Sequence, residues 1–536
     1  MSELADGVPR GFETAPERYR HWRLALDGRV ARLTLAVDEA GALMDGVLLK
    51  RNSYDVGVDI ELRDAVQRLR FEHPEVGCVL VCSALPEVFC AGANIGMLAR
   101  ASHPLKVNFC KLSNETRFEI EDATRAGQRW LAALSGTASG GGYELALACE
   151  RILLVDDRRA AVSLPEVPLL AVLPGTGGLT RLVDKRAVRR DLADVFCTLE
   201  EGVRAPRALA QGLVDATAKP SQFDALVARE IAAALEAAGP PPEASGVPLE
   251  ALDPEVTDGE IRYRHVTVSL SAESRTATLC VRMPVHANLL VALRLARELD
   301  DAVLRLRFHY PELGLWLVRS QGDPADARAL DAALAGSSWF AREVRALFGR
   351  VLKRVENSAR SCFALVEPGS CFVGTLFEFA LAADRIYMRR GGASAASLEL
   401  SALNRGAHRM ANGQTRLETR YFGRAEALAR VLESAGPLAA ERALALGLVT
   451  EAPDAIDWDD SVRVAVEERA SFSPDALTGL EASLRFPGPE TLETKVFGRL
   501  SAWQNWIFQR PNASGPDGAL RAYGRPERAK FDWKRT

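Results

Sequence analysis

Residues 138–149 read ASGGGYELALAC and follow LAALSGT, an apolar run that ends at residue 137. Small residues and glycine stand where a strand is predicted to end and a helix to begin. Residues 89–97, FCAGANIGM, repeat this arrangement after VGCVLVC. The first N–H groups of a helix have no partner inside the helix and carry positive partial charge, and glycine permits close approach. Two such loops predict a pair of N–H donors for an oxygen that becomes anionic.

Composition places the chain among globular proteins of more than one domain. The 536 residues are 48% hydrophobic and 26% charged, with a net charge of −4. A chain of this length is expected to form two or three domains. Because both signs of charge are mixed along the sequence, we expect neither a nucleic acid nor a membrane as partner.

The termini, cysteines and histidines indicate a reduced cytoplasmic protein. Met1 to Arg10 lack the charged and apolar regions of a signal peptide, and no long uncharged apolar run predicts a membrane span. The nine cysteines form no CxxC pair, and the seven histidines are scattered. We therefore expect free thiols and no metal site.

Three blocks of sequence recur in the same order, displaced by about 235 residues. LRDAVQRLRFEHPEVGCVLV (62–81) matches LDDAVLRLRFHYPELGLWLV (299–318), and YELALACERI (143–152) matches FEFALAADRI (377–386). RALAQGLV at 207–214 matches RALALGLV at 442–449. The repeat predicts a duplicated domain.

Each repeat is predicted to be an α/β unit. Residues 29–37 and 76–82 are strand-like, with an amphipathic helix at 58–71 between them. The sequence predicts a catalytic domain at 1–238, a linker at 239–258, a second domain at 259–493 and a helical tail at 494–536.

The two loops, together with SLPEVPLLAVLPGTGGLTRL at 163–182 and VRAPRALAQGLVDA, resemble the enoyl-CoA hydratase/isomerase (crotonase) superfamily over residues 25–238. The resemblance implies a ClpP/crotonase-type spiral ββα fold and an acyl-CoA thioester substrate, with no cofactor apart from the CoA of the substrate. It also implies backbone donors at Ala93 and Gly141, substrate contacts at Gly92, Gly142 and Gly175, and acid/base roles for Glu144 and Glu166.

The local sequence is consistent with acid/base roles for both glutamates. Glu144 falls in the first turn of an apolar helix, and Glu166 lies in the apolar run SLPEVPLLAVLP. Burial raises the pKa of a carboxyl group, and a second carboxylate nearby separates the two titrations. The alternatives are a helix-capping charge for Glu144 and an ion pair for Glu166.

The segment between the loops supplies one further candidate, Cys110, as a proton relay or a substrate contact. An ordinary packed cysteine is the alternative. Asn114, Glu115 and Arg117 are predicted to lie in solvent at the start of a helix.

The sequence departs from the superfamily pattern in both units. Asn94 and Gly96 stand where simple hydratases often have an acid and a lysine. In the second unit, QGDPADARALDA (321–332) and EPGSCFVGTLFEFAL replace the two loops. Glu378 is retained opposite Glu144, but only Glu399 or Leu400 stands near the position of Glu166. We therefore predict that the second unit is catalytically silent.

The N-terminal stretch from Leu43, the loop FCAGANIGML and HPLKVNFCKLSNETR resemble one branch of the superfamily, which opens the epoxidised ring of a benzoyl-CoA. This resemblance implies a lyase. Two alternatives remain open: a simpler enoyl-CoA hydratase or isomerase, and a non-catalytic acyl-CoA-binding scaffold. The expected assembly is a homo-oligomer, with a dimer preferred.

Overall fold

The computed structural model describes residues 4–391, 395–526 and 528–536, so the first three residues of the predicted catalytic domain lie outside it. The chain divides into two structural units, 4–251 and 252–536. In the stretch predicted as a linker, the Val247 N–H donates to the Phe71 carbonyl (2.7 Å) and the Leu249 N–H donates to the Glu72 carboxylate (2.7 Å). This part of the stretch therefore packs on the first unit. The exact domain boundaries stay predictions.

The first unit is mixed α/β, as predicted, and contains two sheets. Its strands are β1 Trp22–Asp27, β2 Val30–Leu35, β3 Cys78–Ser83, β4 Val88–Cys90, β5 Arg129–Leu134, β6 Thr137–Ser139, β7 Arg151–Val155, β8 Ala161–Ser163, β9 Val203–Arg204 and β10 Ala216–Ala218. The larger sheet has the order β1-β2-β3-β5-β7-β10, and it is parallel except for the β1–β2 pair. The smaller sheet has the order β4-β6-β8-β9.

Helices pack on the larger sheet and enclose the core of the first unit. They are α1 Val56–Phe71, α2 Ile95–Arg100, α3 His103–Arg125, α4 Gly141–Ala148, α5 Glu166–Leu170, α6 Gly178–Thr180, α7 Arg190–Cys197, α8 Ala205–Ala210 and α9 Pro220–Ala238. Helix α1 begins where the Asp55 side chain accepts the Gly57 N–H (2.9 Å), which satisfies one free donor of the first turn. Helix α9 packs on β3, β5 and β7, and Trp130 and Leu131 of the central strand β5 are fully buried. The predicted strands at 29–37 and 76–82 and the helix at 58–71 are confirmed as β2, β3 and α1.

The second unit also contains a larger and a smaller sheet. Its strands are β11 Glu255–Val256, β12 Glu260–Arg262, β13 Val266–Ser271, β14 Thr276–Arg282, β15 Leu315–Gln321, β16 Ser361–Val366, β17 Phe372–Val373, β18 Arg385–Met388, β19 Ser397–Glu399 and β20 Leu438–Ala439. The larger sheet has the order β11-β12-β13-β14-β15-β16-β18 and becomes parallel from β14 onward. The smaller sheet has the order β17-β19-β20. The two units thus share a parallel sheet flanked by a smaller one, while their origin by duplication stays a prediction.

The helices of the second unit extend into the predicted tail. They are α10 Leu289–His309, α11 Pro324–Leu334, α12 Trp339–Glu356, α13 Thr375–Leu381, α14 Arg416–Arg420, α15 Ala425–Leu432, α16 Ala440–Leu446, α17 Trp458–Ser471, α18 Pro474–Leu484, α19 Leu492–Lys495, α20 Ser501–Phe508, α21 Pro511–Ser514 and α22 Ala519–Ala522. Buried Arg535 donates to Glu481 of α18 (2.6 Å), and Asn512 donates to Asp475 (2.9 Å). The helical C-terminal region is therefore confirmed, and it packs within the second unit. In the described part of the chain, no helix has both the length and the apolarity to cross a bilayer.

Candidate active site

Three neighbouring strands of the smaller sheet bring the predicted site together. Strands β4, β6 and β8 run parallel, with Cys90 opposite Ala138 and Ser139 opposite Ser163. The carboxyl ends of parallel strands meet at one edge, where ligands of α/β proteins commonly bind. The loop with Ala93 follows β4, helix α4 follows β6, and Glu166 follows β8. The predicted loops and both acids therefore lie at the same edge.

The two predicted donor loops touch each other. A β-carbon on Gly92 would lie 2.7 Å from the Ser139 carbonyl oxygen and 3.0 Å from the Gly141 nitrogen. Within the described residues, neither the Ala93 N–H nor the Gly141 N–H has a hydrogen-bond acceptor. Both groups are thus available, and we predict that they bind one oxygen.

Glycine is required at this junction because backbone and side chains pass close to it. Gly140 turns the chain into α4 with φ 53°, a left-handed conformation that favours glycine. A β-carbon on Gly142 would lie 2.5 Å from the Cys90 carbonyl oxygen. Any side chain at Gly142 would therefore separate the two loops.

The first predicted acid, Glu144, is buried and held in a fixed orientation. One carboxylate oxygen accepts the N–H groups of Thr176 (3.0 Å) and Gly178 (2.7 Å), and the other accepts the Thr176 hydroxyl. These donors come from the loop 174–178, which follows Glu166 in the chain. Pattern reasoning missed Thr176, although it lies in the quoted motif PGTGG.

The second predicted acid, Glu166, has a free oxygen and a perturbed pKa. Its Oε1 would lie 2.7 Å from a β-carbon on Gly140, and its buried Oε2 has no hydrogen-bond partner among the described residues. Burial, followed by the negative charge of Glu144, raises the pKa of Glu166 to about 7. A carboxyl group with this pKa exchanges protons readily near neutral pH.

The apolar run around Glu166 is not itself buried. Val167, Leu169, Val172 and Leu173 are exposed, and Leu173 keeps 66% of its surface in solvent. The carboxyl is shielded because its Oε1 lies against Gly140, the residue before α4. The prediction of a buried carboxyl is therefore right, but its neighbours in sequence do not provide the burial.

The raised pKa makes protein stability depend on pH. Glu166 takes up its proton more readily in the folded state than in the unfolded state, so its ionisation lowers the free energy of unfolding as pH rises from about 4.5 to about 7. We expect Glu166→Gln, which is neutral throughout, to melt at a higher temperature than the wild type at pH 8. The difference should shrink towards pH 4.5, as measured by differential scanning calorimetry. A constant difference across this range would contradict the assigned pKa.

Cys110, on α3, lies next to the predicted substrate contact Gly175. Its Sγ would be 3.2 Å from a β-carbon on Gly175. Burial, followed by the charge of Glu144, raises the pKa of the Cys110 thiol to about 11. The thiol is therefore neutral at physiological pH, which suits a contact or a proton donor and disfavours a nucleophile.

This thiol should resist alkylation. At pH 7 we expect iodoacetamide to modify Cys110 much more slowly than free cysteine, because the thiolate fraction is small. The rate should rise with pH up to about 11. Mass spectrometry of the peptide that contains Cys110 measures the alkylation rate. Rapid labelling at pH 7 would show that Cys110 is a thiolate and would contradict the raised pKa.

The prediction that Asn114, Glu115 and Arg117 lie in solvent at a helix start is wrong. All three lie in the middle of α3, and Arg117 is only 1% exposed. The Arg117 guanidinium donates to the Tyr54 hydroxyl (2.9 Å) and to the Gly141 carbonyl (3.0 Å). Asn114 donates to the carbonyl oxygens of Cys110 and Gly175 (both 3.0 Å). Arg117 follows buried Ser113 by four residues and precedes buried Ile120 by three, so helical periodicity was the overlooked signal.

The departure from the family pattern at Asn94 has a local explanation, whereas nothing in the structure explains the one at Gly96. The Asn94 side chain caps α2 by accepting the Met97 N–H (2.9 Å), and it also donates to the Leu48 carbonyl (2.9 Å). Gly96 is an exposed residue of α2. Asn94 therefore stabilises the first donor loop.

In the second unit, the groups that match the Gly141 N–H and the Glu144 carboxylate are bound by other residues of that unit. Helix α13 follows Gly374, whose φ of 50° resembles that of Gly140. The first N–H of this helix, from Thr375, donates to the Asp331 carboxylate (2.7 Å). Glu378 is paired with Arg416 (2.8 Å). A carboxylate thus covers the amide that matches Gly141, which supports the prediction of a silent unit.

The predicted counterpart of Glu166 in the second unit is corrected. The Gly374 N–H donates to the Glu399 carbonyl (3.0 Å) as the Gly140 N–H donates to the Ser163 carbonyl (2.9 Å). Glu399 therefore matches Ser163. The position three residues further on, which matches Glu166, is Ala402, so this place in the second unit has no acid.

Comparison with known proteins identifies the family. The family described as enoyl-CoA hydratase/isomerase matches residues 49–282. A protein of Aromatoleum evansii named benzoyl-CoA-dihydrodiol lyase is 50% identical, covering 100% of this chain and 99% of its own length. The chain belongs to the enoyl-CoA hydratase/isomerase family.

Solved structures of this enoyl-CoA hydratase/isomerase family match part of the chain. An enoyl-CoA hydratase of Geobacillus kaustophilus is 29% identical, with a TM-score of 0.36, covering 41% of this chain and 75% of its own. An enoyl-CoA hydratase from Bacillus anthracis is 24% identical, with a TM-score of 0.34, covering 40% and 76%.

Proposed function

We propose that the chain is a lyase of aerobic benzoate degradation that requires no separate cofactor. Its substrates are 2,3-epoxy-2,3-dihydrobenzoyl-CoA and two waters, and its products are 3,4-didehydroadipyl-CoA semialdehyde and formate. The observation that carries this proposal is the 50% identity, over the full length of both chains, to a protein named benzoyl-CoA-dihydrodiol lyase. The pair of glutamates at the edge of the smaller sheet supplies the acid/base groups that the reaction needs.

Glu166 is the group proposed to handle protons. Its free Oε2 and its pKa of about 7 allow it to take a proton from a water that opens the epoxide and the ring. Ring opening leaves a formyl group on the carbon next to the thioester. A second water adds to this formyl carbon, again giving its proton to a carboxylate. Glu144, fixed by three hydrogen bonds, is positioned to act with Glu166 in these transfers.

The donor pair is proposed to stabilise the carbon–carbon cleavage. As formate leaves, the bonding electrons move towards the thioester and form an enolate, whose α-carbon then receives a proton. The negative oxygen would accept the N–H groups of Ala93 and Gly141. Removing one donor of this kind costs about 2.7–4 kcal/mol of transition-state stabilisation, so the pair has a large share in this step.

The segment after Glu166 exposes apolar side chains that are available to contact an acyl group. Val172 and Leu173 lie between Glu166 and Gly175 in the chain and expose apolar side chains. Cys110 and Gly175 add small, weakly polar surface beside them. We propose that these residues contact the ring, together with Gly92 and Gly142 at the thioester.

Location and assembly are also part of the proposal. The nine cysteines are free thiols, which agrees with a reducing cytoplasm. Phe497 and Tyr523 expose large apolar side chains in the helical tail, which supports a homo-oligomer, with a dimer preferred.

A direct substrate comparison tests the proposal. Purified protein is incubated separately with epoxidised benzoyl-CoA and with crotonyl-CoA, and the products are identified by mass spectrometry. We expect formate from the first substrate and at most slow hydration of the second. Efficient hydration of crotonyl-CoA without formate from the epoxide would favour an enoyl-CoA hydratase. Binding of both substrates without turnover would favour an acyl-CoA-binding scaffold.

A further inference from the structure

Tyr54 connects both donor loops through different atoms. Its main-chain N–H donates to the Gly92 carbonyl (3.0 Å), and its carbonyl accepts the Asn94 N–H (2.9 Å), so it brackets Ala93 on both sides. Its hydroxyl lies directly against Gly141, where any β-carbon would collide with it. One buried residue thus contacts the segments that supply both proposed donors.

Arg117 fixes the side chain of Tyr54 to the start of α4. The same guanidinium nitrogen donates to the Tyr54 hydroxyl and to the Gly141 carbonyl, and a second nitrogen donates to the Ser113 carbonyl (2.9 Å). Burying a guanidinium without partners is costly, and these acceptors offset the cost. Arg117 and Tyr54 together form a unit, the strap.

The strap also brings a permanent positive charge close to the Gly141 peptide. Arginine stays protonated in proteins, and a charge inside a protein acts more strongly than one in water. A buried acid, Asp59, accepts the Ser113 hydroxyl; burial raises the pKa of Asp59 to about 6, and the nearby charge of Arg117 opposes this rise. Negative charge developing on an oxygen at the Gly141 N–H would therefore lie near a fixed cation.

The second unit provides an internal contrast. Ion pairs Glu121–Arg181 (2.8 Å) and Glu356–Arg416 (2.7 Å) have the same sequence spacing in the two units. Four residues before Glu121 stands Arg117, whereas four residues before Glu356 stands buried Leu352. The arginine is present where the helix amide is open, and leucine replaces it where Asp331 covers that amide.

We propose that Tyr54 and Arg117 are positioning residues of the oxyanion hole. The strap sets the separation of the Ala93 and Gly141 amides, and the charge of Arg117 adds to the positive potential that a thioester oxygen meets there. The inference deepens the proposed function and rests on its use of these two amides. It predicts that strap variants lose catalytic rate and carbonyl polarisation while they retain acyl-CoA binding.

The test combines kinetics with vibrational spectroscopy of bound benzoyl-CoA. In the wild type, we expect the thioester C=O stretch to move to lower wavenumber on binding, because the hole polarises the carbonyl. In Arg117→Met this shift should shrink, and kcat with epoxidised benzoyl-CoA should fall by about 10²- to 10³-fold, the effect of losing one oxyanion donor. Arg117→Lys should recover part of the C=O shift and part of kcat. In both variants the Kd for benzoyl-CoA should change little.

Two further variants make the result decisive. Tyr54→Phe removes only a hydroxyl and should lower kcat by about tenfold, a smaller loss than in Arg117→Met. This variant provides the test if Arg117→Met does not fold. Arg416→Met removes a buried arginine from the second unit and should leave the C=O stretch unchanged. A wild-type C=O shift in a folded Tyr54→Phe or Arg117→Met protein overturns the strap. The C=O measurement uses bound benzoyl-CoA, so it tests the strap even if the wild type releases no formate. Absence of formate would refute only the proposed function.

Discussion

Glu166→Gln is expected to lower the rate of formate release by about 10²- to 10⁴-fold, the usual contribution of a general acid or base. The glutamine keeps the size of the side chain and loses only the ability to exchange a proton. Because Glu166 Oε2 has no partner among the described residues, no structural hydrogen bond is lost with it. Glu144→Gln should cause a loss of similar size and also weaken the bonds to Thr176 and Gly178. Formate assays under single-turnover conditions measure both, alongside the Kd for benzoyl-CoA.

The matched control for these variants is Glu378→Gln. Glu378 occupies the place of Glu144 in the second unit, where it pairs with buried Arg416. We expect full turnover but a lower melting temperature, because breaking a buried ion pair on one side is costly. Turnover retained in both Glu144→Gln and Glu166→Gln, or lost in a folded Glu378→Gln protein, would contradict the assignment of the acids.

Gly141→Ala is expected to reduce kcat by about 10²- to 10³-fold, the effect of losing one oxyanion donor. The new methyl group cannot fit beside the Tyr54 hydroxyl, so the start of α4 must shift and its first N–H must move with it. Acyl-CoA affinity should change much less than kcat, since the lost interaction strengthens only as the oxyanion forms. Steady-state kinetics with epoxidised benzoyl-CoA, together with a binding titration of benzoyl-CoA, separate the two effects.

Gly349→Ala serves as the control for a glycine substitution. Gly349 lies inside α12, where a β-carbon would meet no atom within 4 Å. Alanine is a better helix former than glycine, so this variant should keep full activity and melt slightly higher. If Gly141→Ala retained wild-type kcat, the Gly141 amide would not be a donor in the rate-limiting step.

The sequence predicted the parts of the fold and site that are encoded locally. The strand-to-helix turns at Ala93 and Gly141 were recognisable because glycine and small residues follow apolar strands, and parallel strands then bring such turns to one edge. Glu144 and Glu166 were found by their family motif. The sequence did not show that the two carboxyl groups have different environments, because these depend on the hydrogen bonds of Glu144 with Thr176 and on the contact of Glu166 with Gly140.

The remaining features required three-dimensional contacts between distant segments. Helical periodicity could have indicated that Arg117 is buried, but its partners Tyr54 and Gly141 come from other elements and were not readable from the sequence. Asp331 of α11 likewise reaches Thr375, which lies 44 residues further along the chain. Long-range pairing of this kind leaves no periodic signal in one sequence.

The most direct test of the central claim is the isotopic composition of the formate released in H₂¹⁸O. If water adds to a formyl group before the carbon–carbon bond breaks, each formate must carry at least one ¹⁸O and appear in equal amount with the six-carbon aldehyde thioester. Mass spectrometry of both products from epoxidised benzoyl-CoA provides the measurement. Labelled formate in a one-to-one ratio is the expected result. Absence of formate, or formate without ¹⁸O, would contradict a hydrolytic cleavage at this site.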